Sequence, residues 1–171
     1  MAVIEAIATT YLEADAASVT FSSIPATYEH LQLRISMRTT RTSWGERCMM
    51  WFNGDTGTNY SNHRMQGTAT TTGASGETGV TYTFATYWMP TGFEDAAIYG
   101  SSVCDILDYR NGSKNTTVMN TSGEAAMSTP YMVFQSGLWD NVAAVTTILL
   151  APQYDEFARG TEISLYGLKS S

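Results

Sequence analysis

Residues Tyr28 to Arg38 read YEHLQLRISMR. In this stretch Leu31, Leu33, Ile35 and Met37 alternate with Gln32, Arg34, Ser36 and Arg38. Side chains two apart share a face of an extended chain. The stretch therefore predicts a strand with one face in a core and the other against water or a second layer. Ile24-Pro25 stands just upstream, and because proline fixes φ and has no N–H, the chain turns or begins a strand there. Thr161 to Lys169 (TEISLYGLK) repeats the alternation near the other end. The two stretches are expected to be neighbours or partners in one β-sandwich.

Further segments fit around this pair. Val3 to Leu12 alternates imperfectly and is either a first strand or an arm (residues 1–12) lying on a neighbour. Ser18 to Ser22 predicts a short strand with Val19 and Phe21 inward. Arg47 to Asn53 predicts another, broken by the turn Asn53-Gly54-Asp55. Asn59 to Gly79 is poor in apolar residues and rich in Thr, Gly and Ser. It is expected to be a long loop, either functional or packed on something else. Val80–Tyr87, Ala97–Tyr109, Thr116–Thr121, Tyr131–Gln135 and Val142–Ala151 supply more strands. Asn111-Gly112 is expected to turn one hairpin by taking up positive φ. No stretch carries a 3.6-residue apolar stripe of helix length. The expectation is one all-β domain over residues 1–171, an antiparallel β-sandwich of jelly-roll type with eight to ten short strands.

Composition narrows the function classes. The formal charge of -7 disfavours binding of DNA or RNA through phosphates, so no nucleic-acid partner is expected. Charged residues make up 15% of the chain, against roughly 25% in an average globular protein. Threonine is the commonest residue. A hydroxyl-rich surface with few ions suits exposed strand faces, and equally a surface to be covered by another subunit. No segment approaches the roughly 18 to 20 apolar residues of a membrane span, and MAVIEAIATTYLEAD has neither the basic nor the apolar region of a secretory signal. Cys48 and Cys104 are expected to be reduced and buried, not bridged.

At SVTFSSIPATYEHLQLRISMR (Ser18 to Arg38), WFNGDTGTNYS (Trp51 to Ser61) and FARGTEISLYGLK (Phe157 to Lys169), the chain resembles a family of tailed-bacteriophage virion proteins. These are described variously as minor structural, capsid decoration (cement) or tail-fibre proteins. Asn53, Gly54, Asp55, Asn59 and Tyr60 stand at the family's turn after its next strand, while Thr68 to Asn141 follows the family only loosely. The resemblance implies a β-sandwich component of a phage particle, located in the virion after assembly in the host cytoplasm and often arranged about a three-fold axis. The implied partners are the major capsid protein, or another virion protein, and further copies of the chain in a homotrimer. The implied function is head decoration, stabilising the shell across capsomer boundaries. The alternative is a host-recognition or carbohydrate-binding module of a tail fibre or spike. Against that alternative stand the short chain beginning at Met1 and the lack of a shaft, coiled coil or collagen-like repeat.

Candidate sites are few. Asn53 to Asn59 has oxygen-bearing side chains at alternate positions but lacks the several carboxylates and terminal Glu of a calcium loop, so a turn is expected. His30 and His63 have no ligand cluster at metal spacing. Asp105 and Asp108 flank a strand and cannot be paired from spacing alone. With no Gly-x-Ser-x-Gly elbow and no phosphate loop, no catalytic, cofactor or metal residue is expected, and the chain is not read as an enzyme. Tyr87, Trp88 and Met89 are three consecutive large apolar residues before Pro90. A strand buries alternate side chains, so at least one of them is expected to face outward or into a second layer, as a partner contact. Trp139, after Leu138, is a second candidate. Arg34 and Arg38, with Arg41 beyond, are expected on the polar face of the central strand, either solvated or paired with acidic residues of a neighbour.

Overall fold

The computed structural model describes residues 3–125 and 130–169. Twelve strands run through them: β1 (Val3–Tyr11), β2 (Val19–Phe21), β3 (His30–Met37), β4 (Glu46–Phe52), β5 (Tyr60–Gly67), β6 (Thr72–Val80), β7 (Thr83–Met89), β8 (Gly100–Leu107), β9 (Thr116–Glu124), β10 (Tyr131–Trp139), β11 (Ile148–Pro152) and β12 (Glu162–Lys169). No helix occurs among the described residues. The strands form two antiparallel sheets, a large one ordered β1-β12-β3-β8-β9-β10-β5-β6 and a small one ordered β2-β11-β4-β7. The chain is thus an all-β antiparallel sandwich, with more strands than the eight to ten expected and with sheets of unequal size.

The alternation in β3 has the predicted result. Leu31, Leu33, Ile35 and Met37 are buried, while Arg34 and Ser36 are exposed. β12 pairs directly with β3, setting Ile163 opposite Ile35 and Leu165 opposite Leu33. These side chains meet Val19 and Phe21 of β2, Cys48, Met50 and Phe52 of β4, and Ile148 and Leu150 of β11 in one core between the sheets. Each such Leu or Ile contributes about 1.5–3 kcal/mol by leaving water. Cys48 and Cys104 are free, fully buried thiols, and burial pushes both pKa values up, so they pack as small neutral apolar groups.

β1 closes the edge beside β12, with Tyr28 holding the corner: its hydroxyl donates to Glu5 Oε2 (2.9 Å) and Lys169 lies 5.5 Å from its ring centre. The ring rests on Gly167, where a Cβ would come within 2.2 Å of it. Gly167→Ala is therefore expected to cost about 2–3 kcal/mol by overpacking, read as a lower denaturant midpoint at unchanged slope.

Three expectations are corrected. Asn59 to Gly79 is not a long loop: it forms the β5–β6 hairpin, and β6 is the exposed edge of the large sheet. Sheet pairing uses backbone groups, and threonine suits an exposed strand, so a polar segment with no inward apolar face still extends the ladder. The segment expected as a strand from Val142 becomes one only at Ile148. Before that, the Asn53 side chain anchors it, accepting from the Thr146 and Thr147 amides and donating to the Ala144 carbonyl. The turn at Asn111-Gly112 needs no positive φ at Gly112. Asp108 supplies the left-handed residue (φ 55°), and Asn111 Oδ1 accepts from the Ser113 amide in a local turn.

Candidate interaction surface

β7 occupies an edge of the small sheet, paired with β4 on one side only. Its remaining backbone groups need partners because they are buried. Polar side chains on the inner face of the large sheet provide them. Asn120 Nδ2 donates to the Phe84 carbonyl (2.9 Å) and Ser102 Oγ to the Ala85 carbonyl (3.0 Å). Ser122 Oγ donates to the Tyr87 carbonyl (2.8 Å) and accepts from the Tyr87 amide (3.2 Å). Asn62 Nδ2 donates to the Tyr82 carbonyl (3.1 Å), while its Oδ1 accepts from Thr83 Oγ1 (2.8 Å) and Gln135 Nε2 (3.2 Å). Gly137 lets β7 approach β10, since a Cβ there would lie 2.3 Å from Thr83 Oγ1.

These inward polar residues have a geometric consequence. Because the period of a strand is two, sending Asn62, Asn120, Ser122 and Gln135 inward sends their neighbours outward. Met119 and Thr121 of β9, Met132 and Phe134 of β10, and Met65 of β5 therefore face away from the core. The register sets Phe134 between Met65 and Thr121, with Val103 of β8 beyond Thr121. Met132 is 69% exposed, Met65 61% and Phe134 49%. Among the described residues, no outward position on β9, β10, β5 or β6 carries Asp, Glu, Lys or Arg, and His63 is the only titratable group there. Charge returns at the border, with Arg34 beside Val103 and Asp105 accepting from Gln32 Nε2 (2.8 Å). Two hollows indent this face. One, of about 510 Å³, is lined by Leu107, Met119, Leu138 and His63; the other, of about 520 Å³, by Met65, Met132 and Phe134 above Gly67 and Gly73. A large, apolar, uncharged sheet face of this kind can exclude water against a matching surface.

The residues expected to contact a partner lie elsewhere, and most are enclosed by their own chain. Tyr87 and Met89 are buried, and Trp139 is 1% exposed, packed on Phe52 and Tyr60 with Nε1 donating to Asp55 Oδ2 (2.8 Å). Arg38 is also buried, its guanidinium donating to the carbonyls of Glu94, Asp95 and Ile98. It lies past the end of β3 and does not share the exposed face of Arg34. These four offer little surface to another molecule. Trp88 is the extra residue of a β-bulge, since Glu46 pairs with Met89 and Arg47 with Tyr87. Its φ of 54° turns the ring sideways, over Gly45, into a half-buried cluster with Trp44 (4.8 Å) and Tyr131 (5.5 Å). So the three consecutive large residues go to different places, and Trp88 alone reaches a second layer. Of the six, Arg34 is exposed, 5.3 Å from the Tyr166 ring centre, at the margin of the apolar face.

No family model, no curated protein and no solved structure matches this chain. His30 Nδ1 accepts from the Asp108 amide, and Asp108 pairs with Lys114 at 3.2 Å. The Asp55 carboxylate, held below its usual range by Asn59, the Gly57 amide and Trp139, is occupied by its own turn. Among the described residues, no group of three or more His, Cys, Asp or Glu is placed to hold a metal ion.

Two carboxyls, Glu46 and Glu124, are buried with raised pKa values, and Glu46 Oε1 accepts from the Arg47 amide (2.8 Å). Glu124, on the inner face at the end of β9, has an Oε2 without a hydrogen-bond partner. Burial, with a smaller contribution from Glu94, pushes its pKa up to about 7. Because the folded protein holds this proton more tightly than the unfolded chain, the Glu124 contribution to stability is fully present below pH 4.5, falls as pH rises from there through about 7, and then levels. Glu124→Gln is expected to raise the melting temperature at pH 8 by about 3 °C and to leave it unchanged at pH 4.

Proposed function

We propose that this protein is a non-enzymatic structural component of a tailed-phage virion, a head decoration or cement protein that binds the outer capsid across capsomer boundaries. The observation that carries the reading is the uncharged apolar face of the large sheet, which a protein working as a free monomer would keep wet at a cost in solubility. The phage assignment is supported by the resemblance, whose residues belong to β2, β3, the turn after β4, and β12. We read the sandwich as of jelly-roll type, its large sheet extended beyond β8 by β9, β10, β5 and β6, with β7 packed on the inner face of β8, β9 and β10.

Mechanically, each bound copy adds buried area between shell subunits, so internal pressure must break more contacts before the shell opens. A homo-oligomer, which the resemblance implies is a trimer, would multiply weak contacts with the major capsid protein by avidity. Particles lacking the protein are expected to lose resistance to heat or chelator; equal survival of the two kinds of particle refutes the mechanism. The half-buried Trp44–Trp88–Tyr131 cluster is the one feature favouring the second reading, a carbohydrate-binding module of a tail fibre or spike. Copy number separates the two: hundreds per particle for shell decoration, a few to a few dozen for a tail component.

A further inference from the structure

We infer that the apolar face of β8, β9, β10, β5 and β6 is covered by the same face of a second copy of this chain, across a two-fold axis. The inference rests on the reading above that this face is buried in the working state, and it names the occupant.

Electrostatics narrows the choice. At the outward positions of β9, β10, β5 and β6 a basic partner would find no carboxylate to pair with, and an acidic one no guanidinium or ammonium: Glu124 is buried, Arg64 lies over the buried Tyr87 ring, and Glu77 pairs with the inward Asn62. A membrane-binding face would carry lysines and arginines around its apolar centre, whereas the chain has a formal charge of -7. Two copies of so acidic a chain meet most closely where few carboxylates are presented, and among the described residues Asp105, at the β8 margin and bonded to Gln32, is the only one at an outward position of these five strands. Shape agrees, because protruding side chains (Met132, Phe134, Met65) and hollows floored by Gly67, Gly73 and Gly76 occur together on it. A surface with both can be complementary to itself, and self-complementary contact generates a two-fold axis.

The area is sufficient. Five strands spaced about 4.8 Å apart and about 26 Å long cover on the order of 600 Å² in projection. The corrugated accessible surface is larger and approaches the roughly 800 Å² per partner of a standard stable interface. Any three-fold association would then use other surfaces.

The test is the mass of the purified full chain by sedimentation equilibrium at micromolar concentration, in low and high salt. The wild type is expected to be a dimer that tightens with salt, because screening removes the repulsion between acidic copies while the apolar contact persists. Phe134→Asp and Met132→Asp, both at exposed positions, are expected to weaken association at least 100-fold while keeping the wild-type circular dichroism. Phe93→Asp, at an exposed loop position off this face, should remain dimeric. A monomeric wild type, a trimer as the smallest stable species, or dimers that survive both substitutions would each overturn the inference. Binding to particles is scored separately. A wild-type dimer that never binds particles refutes the virion role and leaves the interface standing; a monomer that binds them does the reverse.

Discussion

Trp139→Ala is expected to destabilise the protein by about 4 kcal/mol, the largest single effect foreseen for the chain. The indole lies between the sheets, 5.4 Å from the Phe52 ring and 6.3 Å from that of Tyr60. Removing it leaves a cavity the size of two rings, and Asp55 loses a donor that helps keep its carboxylate ionised. Trp139→Phe should recover most of the packing and retain only the loss of that hydrogen bond, about 1.5–2 kcal/mol. Urea denaturation read by circular dichroism gives both values. The result separates a core residue from an interface residue. If Trp139→Ala were as stable as wild type but failed to associate, the burial described above would be wrong.

Asn62→Ala comes second, at about 3 kcal/mol. One amide serves the Tyr82 carbonyl, Thr83 Oγ1 and Gln135 Nε2, all in the region where β7 meets the large sheet. Truncation strands two buried polar groups and one half-buried carbonyl at once, each costing about 1 kcal/mol. Asn62→Leu is expected to be no better, since it restores volume and none of the bonds. Hydrogen exchange should locate the damage, with β7 amides losing protection before those of β3 and β12. Uniform loss across all strands would mean that the polar contacts hold the whole sandwich and not this edge.

These two residues also show what could be read without coordinates. The β3–β12 pair was legible because its apolar residues point inward, and nearest-neighbour alternation then says which face is which. The same rule misleads over β9 and β10. In YMVFQ the large apolar residues Met132 and Phe134 look like the inward set, yet Val133 and Gln135 face the core. The cause is remote in sequence: β7 has an unpaired edge, and its buried peptide groups recruit Ser102, Asn120 and Ser122 from strands up to 36 residues away, while Gln135 turns inward to donate to Asn62. A rule confined to nearest neighbours cannot register that demand. Trp88 meets the expectation that one of three consecutive large residues reaches a second layer, but alternation alone does not say which, because a bulge moves one residue out of the two-residue period. A faint signal was present in the abundance of Met and the scarcity of charge from Thr116 to Leu138, a combination that suits a surface meant to be covered.

Met65, Met119 and Met132 face outward, and the proposed dimer covers them. Peroxide oxidation of the intact protein, followed residue by residue by mass spectrometry, tests it directly because exposed thioethers react fastest. The expected result is slow oxidation of these three at high protein concentration and fast oxidation after dilution or in Phe134→Asp, with Met37, Met50 and Met89 protected throughout. Equal rates at every concentration, or reaction at Met50 and Met89 before Met132, would contradict the account.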